Sequence, residues 1–153
     1  RGKGVISARN EQGEWSTPAF LTLTGGSFGL QIGGQSVDLI LVIMNRRGLE
    51  KLLRNEFKIG GDASAVVGPL GRNLEASTDL TLRAEILSYS RTRGLFAGIT
   101  LKGSTIRADR DANERFYDYP FGSGQLVLEG EAATPHDADA VANWRATLAK
   151  DRS

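Results

Sequence analysis

The chain carries one histidine and no cysteine, and those two counts remove much catalytic and metal chemistry at the outset. Cysteine nucleophiles, disulfides and thiolate metal sites all need cysteine, and a histidine-rich zinc centre needs more than one imidazole. A Ser-His-Asp site would have to use His136, which stands beside Pro135 near the C-terminus. A general-base histidine needs an orienting partner and a shaped pocket; the expected place for His136 is instead the surface, in the first turn of a helix. Asp109, Asp111 and Asn113 imitate the first three ligands of a calcium loop. Glu114 then occupies the place where that loop needs glycine, and Pro120 the place of its bidentate glutamate, so a capped surface helix is expected. Residues 26–34 hold spaced glycines without a dinucleotide fingerprint, and no helix follows at once. Nothing in their spacing selects Asp38 and Asp62 as an acid and base. The expectation is a binding domain that is not an enzyme and uses no metal or cofactor.

The feature that does stand out is electrostatic. The 153 residues include 19 basic and 18 acidic side chains, for a formal net charge of +1. That balance gives no global pull toward nucleic acid or an anionic membrane, so an electrostatic partner has to be attracted by a local patch. One candidate lies in residues 46–58, read as a helix. Leu49, Leu52, Leu53 and Phe57 fall on one face, and Arg47, Lys51, Arg54 and Lys58 form a stripe opposite them. Such a stripe fits an anion or an acidic lipid surface, where each cation contributes about 1 kcal/mol. Arg91 and Arg93, at a predicted hairpin tip, are candidates for the same patch.

These side chains must be positioned by a β-rich framework. Residues 3–9 and 15–24 read as strands joined by a turn at 10–13. In 25–34, Gly25, Gly29 and Gly33 share one strand face while Phe28, Leu30 and Ile32 share the other, and the glycine face predicts a close backbone neighbour. Residues 37–44 are apolar on both faces apart from Asp38, which predicts a central strand covered on both sides. Residues 63–67 and 82–90 read as further strands, and 85–90 with 95–101 as a hairpin turning at 91–94. A short helix is expected at 109–117. A last helix is expected from Pro135, capped by Thr134 with Asp137 three residues on, and striped by Val141, Trp144 and Leu148. The fold class is therefore α+β: a single domain over 1–153 with a curved, mostly antiparallel sheet and a few helices. No apolar run approaches the roughly 20 residues that span a bilayer.

In order along the chain, Gly2-Lys3-Gly4-Val5, Ser7-Ala8-Arg9 and Trp15-Ser16-Thr17-Pro18-Ala19 resemble the opening of the SYLF-domain core. The resemblance continues through Gly29-Leu30-Gln31-Ile32-Gly33-Gly34, Val37-Asp38-Leu39-Ile40, Gly68-Pro69-Leu70-Gly71-Arg72 and Ile86-Leu87-Ser88-Tyr89-Ser90. Gly94-Leu95-Phe96-Ala97-Gly98-Ile99, Gly103-Ser104 and Asn113 before Phe116-Tyr117 complete it, covering about 2–119. The segment at about 134–150 then forms a helical extension.

The resemblance implies a lipid-binding module without catalytic activity. Phosphoinositide binding is known in eukaryotic members, some of which also bind and bundle actin. The tail Val141-Ala142-Asn143-Trp144-Arg145 is similar to the bacterial branch, whose members look like exported envelope proteins or lipoproteins. Family members carry a further N-terminal region tied to membrane binding, after which this chain opens. The expected partner is thus an anionic lipid or membrane surface, phosphoinositide by resemblance, with no nucleic acid. The expected location is the periplasm or cell envelope, or the cytoplasm for a eukaryotic protein. The second reading is a structural envelope protein that acts through protein–protein contacts.

Overall fold

A computed structural model describes residues 1–25, 31–32, 35–36, 38–54, 56–62, 64–68, 83–92, 95–97, 101, 103–129 and 134–150. The strands are β1 (Gly2–Ile6), β2 (Ala19–Gly25), β3 (Gln31–Ile32), β4 (Gln35–Ser36), β5 (Asp38–Ile43), β6 (Glu56–Lys58), β7 (Ala65–Val67), β8 (Ile86–Thr92), β9 (Leu95–Ala97) and β10 (Ser104–Ala108). The helices are α1 (Arg46–Leu52), α2 (Arg110–Tyr117), α3 (Ser123–Val127) and α4 (Ala138–Ala149). The class is α+β, as expected. One sheet has the order β1-β2-β10-β6, a second is built on β5-β8-β7 with β9 also on β8, and β3 and β4 form a short antiparallel ladder. The chain divides into two compact units. One comprises Arg1–Gly2, Leu23–Leu52 and Glu56–Ile106; the other comprises Lys3–Thr22, Leu53–Asn55 and Arg107–Ser153.

In the first unit the middle strand is β8. It pairs antiparallel with β5, parallel with β7 and antiparallel with β9, and Ile86, Leu87, Ser88 and Ser90 are buried. Ser88 can be buried at little cost because its hydroxyl donates to the Val66 carbonyl at 3.3 Å. Gly68 has a packing reason to lack a side chain. A Cβ there would stand 2.1 Å from Cζ of Tyr89, whose ring lies over it. The predicted hairpin forms, but β8 runs on to Thr92, which pairs with Leu95.

The prediction that 37–44 is covered on both faces fails. Along β5, Leu39, Leu41 and Ile43 are half-buried, whereas Ile40 and Val42 are 55% and 41% exposed and Met44 is 46% exposed. The reason is position: among the described strands β5 has only β8 beside it, and only one of its faces is packed. The predicted helix over 46–58 is also shorter. Asn45 opens it, its side chain accepting from Gly48 N at 2.7 Å. It ends at Leu52, and 56–58 return as β6 with Phe57 fully buried between exposed Glu56 and Lys58. The chain then turns, with Lys58 N donating to the Asp62 carboxylate at 2.7 Å and Asp62 N to the Lys58 carbonyl at 2.9 Å. At the start of the turn, Ile59 N donates to the Ser104 carbonyl at 2.9 Å and Gly103 N to that of Ile59 at 3.0 Å. Strand pairing here overrides the helical spacing of the leucines. The predicted glycine face at Gly29 and Gly33 lies outside the described residues.

In the second unit, the predicted turn after β1 closes through Asn10 N to Glu14 O at 2.9 Å and Gly13 N to Asn10 O at 3.0 Å. Gly13 sits there at φ 78°, a conformation open to glycine at no steric cost. The predicted helix at 109–117 forms as α2. Asp109 caps it by accepting from Ala112 N at 3.0 Å. Asn113 is fully buried and ties two chain segments together. Its Oδ1 accepts from Phe20 N at 2.9 Å, and its Nδ2 donates to the Phe121 carbonyl at 2.8 Å. Phe20, Phe116, Tyr117 and Phe121 pack edge to face on one another. The last helix starts later than predicted, at Ala138 rather than Pro135. Asp137 is the cap, accepting from Ala140 N at 2.9 Å, because His136 N is already held by the Phe116 carbonyl at 2.8 Å. Trp144 docks the helix as expected, its indole donating to Ser7 Oγ at 2.8 Å, and Val141 is buried.

Tyr117 gives a direct readout of this packing. Its buried hydroxyl donates to the Pro18 carbonyl. Burial, partly offset by a hydrogen bond at Thr17, pushes the phenol from 10.0 up to about 12. The folded value is raised, so its contribution to stability is complete below the ordinary phenol range and is lost as pH climbs through about 12. Tyr117→Phe leaves the Pro18 carbonyl without this donor. It is expected to cost about 1–2 kcal/mol at neutral pH and to remove the late step from an ultraviolet tyrosinate titration. A titration curve whose late step survives the substitution would contradict the assignment.

Candidate functional site

The four cations of the predicted helical stripe do not share one helix. Arg47 and Lys51 lie on α1, Arg54 lies just beyond it, and Lys58 lies on β6. Lys51 is turned inward. Its ammonium is 3.4 Å from the Glu85 carboxylate and donates to the Asp62 carbonyl at 3.0 Å, and the side chain is only 18% exposed. Arg91 is exposed but bonded to Asp38 at 2.7 Å, across the β5–β8 pair. Arg93 lies outside the described residues. Arg47, Arg54 and Lys58 are exposed, and among the described residues no carboxylate is ion-paired with them.

Arg47 has a setting that helical spacing did not reveal. It follows the outward face of β5, where Ile40 and Val42 project into solvent and Met44 continues the exposed apolar run. Arg46 stands beside it, ion-paired to Glu50 at 3.2 Å. Exposed aliphatic side chains in a row, leading directly to arginines, make this face a candidate contact surface.

The second unit contains a cavity of about 350 Å³, within the range of small-molecule sites. Its walls include Trp15, Leu126, Val127 and Leu128, with Glu14 and Arg145 at the same cavity. Trp15 Nε1 is buried and has no hydrogen-bond partner among the described residues, an arrangement that costs about 1–3 kcal/mol while it lasts. The guanidinium of Arg9 stands over the Trp15 ring, 5.4 Å from its centroid. Sequence reading did not find this site. Its residues come from the turn after β1, from α3 and from α4, and no spacing connects them.

The remaining motifs resolve into structural roles. His136 Nε2 is 2.7 Å from the Asp118 carboxylate, with both side chains more than half exposed. Of the calcium-loop imitation, Asp109 caps α2 and is 3.8 Å from Lys3, while both polar atoms of the Asn113 side chain are bonded to backbone. Among the described residues no helix is long and apolar enough to cross a membrane.

A family model described as "Ysc84: Las17-binding protein actin regulator" matches residues 24–148. The chain is 36% identical over 139 residues to the human SH3 domain-containing YSC84-like protein 1, covering 90% of this chain and 40% of that protein. It is 37% identical over 141 residues to the SH3 domain-containing protein PJ696.02 of Schizosaccharomyces pombe, covering 90% and 33%. It is 33% identical over 143 residues to Protein YSC84 of Saccharomyces cerevisiae, covering 90% and 30%. The chain therefore spans less than half the length of these relatives. No solved structure is significantly similar to it. The ordered glycine, tryptophan and aromatic blocks that resemble the SYLF core, the family match over most of the chain and the relatives' identity agree: the chain belongs to the Ysc84 (SYLF-domain) family of actin regulators.

Proposed function

We propose that the chain is a non-catalytic module that docks on an anionic membrane surface, with phosphoinositide-bearing lipid as its preferred class. The observation that carries this reading is the exposed run Ile40, Val42 and Met44 leading into Arg47 on α1. The aliphatic side chains supply area to bury at the headgroup boundary. Arg47 and Lys58 are exposed cations without carboxylate partners among the described residues. An outward cation meets an anionic interface while keeping most of its water, so attraction is gained at small desolvation cost. Lys51 and Arg91 are excluded from this role because Glu85 and Asp38 already neutralise them. The proposed location is the membrane face of a cell envelope, tested by fractionating cells that produce the full-length protein.

The two contributions separate by salt. In co-sedimentation with vesicles of graded anionic content, Arg47→Glu with Lys58→Glu is expected to weaken binding about tenfold or more at low salt, and less as salt rises. Ile40→Ser with Val42→Ser is expected to lower binding at all salt concentrations. If both double variants sediment like the parent, with unfolding midpoints unchanged, the surface is not a membrane contact. The second reading, contact with a protein, is favoured by the family description as a Las17-binding actin regulator. Co-sedimentation with filamentous actin, in the absence of vesicles, tests it.

A further inference from the structure

The cavity of the second unit carries a charge pattern that the membrane surface does not use. Glu14 and Arg145 both line it, and neither has an ion-pair partner among the described residues, including each other. Opposite charges that share a cavity without meeting ask for a ligand that places a counter-charge on each. Leu126, Val127 and the Trp15 indole form apolar wall at the same cavity, suited to a short carbon spacer between those charges.

We propose that this cavity binds a zwitterionic phosphoester, phosphoethanolamine or phosphocholine, with its phosphate on Arg145 and its ammonium on Glu14. A guanidinium matches phosphate oxygens with parallel N–H donors. An ammonium is held by the Glu14 carboxylate. The alternatives fit less of the site. Inorganic phosphate leaves Glu14 facing an anion, and choline leaves Arg145 facing a cation. An α-amino acid carries both charges on one carbon and offers no spacer to the apolar wall. A purely anionic headgroup sets phosphate against Glu14. Joined to a lipid as a diester the headgroup is neutral overall, so docking on it depends weakly on salt, unlike docking through Arg47 and Lys58, whereas the free monoester keeps a net negative charge at neutral pH.

Calorimetric titration of the whole chain tests the assignment, using phosphocholine, phosphoethanolamine, inorganic phosphate, choline and glycine as separate probes. The two phosphoesters are expected to bind saturably, and the other three about tenfold more weakly or less well still. Glu14→Gln and Arg145→Gln are each expected to weaken phosphoester binding about tenfold with an unchanged thermal midpoint, because both residues are exposed. Arg47→Glu with Lys58→Glu should leave it unchanged, which separates this site from the membrane surface. Sedimentation with phosphatidylcholine vesicles that free phosphocholine competes away identifies a lipid headgroup as the source; binding of the free ester alone identifies a soluble one. The proposal is overturned if no phosphoester binds saturably, if glycine binds as well as phosphocholine, or if both cavity variants bind like the parent.

Discussion

Phe57→Ala is expected to lower stability by about 3–5 kcal/mol, measured as a shift of the urea unfolding midpoint. Phe57 is among the largest completely buried side chains of the first unit, and it is carried on a strand of only three residues. Truncation removes its transfer free energy and leaves a void that backbone pairing prevents from closing. Ile59 and the residues around Ser104 hold the chain there by backbone hydrogen bonds at 2.9 and 3.0 Å. Phe57→Leu retains most of the volume and is expected to cost less than half as much. Lys58→Ala, on the exposed face of the same strand, should fall within about 0.5 kcal/mol of the parent. This contrast distinguishes the strand from the helix that leucine spacing predicts. In a helix over 46–58, Lys58 and Phe57 differ by a third of a turn; on β6 they lie on opposite faces.

The error in that segment has a physical cause. Leu49, Leu52, Leu53 and Phe57 fit an apolar helical stripe, and three of the four are buried in the structure. The residues of the core were therefore legible even though the element was not, because burial follows hydrophobicity whichever backbone presents it. What stops α1 at Leu52 is β-pairing between segments distant in sequence, which local spacing does not encode. The same limit explains β5 and β8. β5 looks central because its apolar residues are continuous, and β8 looks amphipathic because Ser88 and Ser90 interrupt it. Their real places depend on neighbours. β8 is flanked on both sides, and its buried serine hydroxyls find partners.

For the surface, the sequence identified cations but not their commitments. Lys51 and Arg91 are as basic as Arg47, yet each has a carboxylate brought to it from another strand or loop. Glu85 is 34 residues from Lys51, and Asp38 is 53 from Arg91. The exposed row Ile40, Val42 and Met44 was hidden for the opposite reason, since an apolar residue at a sheet edge looks the same as one in the core. Family resemblance was legible because it rests on the order of short blocks rather than on tertiary pairing.

Asn113 shows how much of the fold can rest on one residue whose spacing imitated a ligand set. Asn113→Asp changes one heavy atom and is expected to cost about 3–5 kcal/mol at neutral pH. The amide donates to the Phe121 carbonyl and accepts from Phe20 N in a site with no solvent exposure. An ionised carboxylate still accepts from Phe20 N, but it sets a negative oxygen against the Phe121 carbonyl and buries an unpaired charge. A protonated carboxyl restores both hydrogen bonds in the same shape. Burial therefore raises the folded-state pKa of the new carboxyl above its unfolded value. For that sign, the stability of the variant is greatest below the ordinary carboxylate range and is lost as pH rises through the raised value. The difference between Asn113→Asp and the parent, measured by urea unfolding at a series of pH values, should narrow toward acid and widen toward neutrality. Asn113→Ala removes both bonds at every pH and should cost about 2–4 kcal/mol with no such trend. A pH-independent loss in Asn113→Asp would mean that water reaches the site and that Asn113 does not hold Phe20 to Phe121 in a dry core.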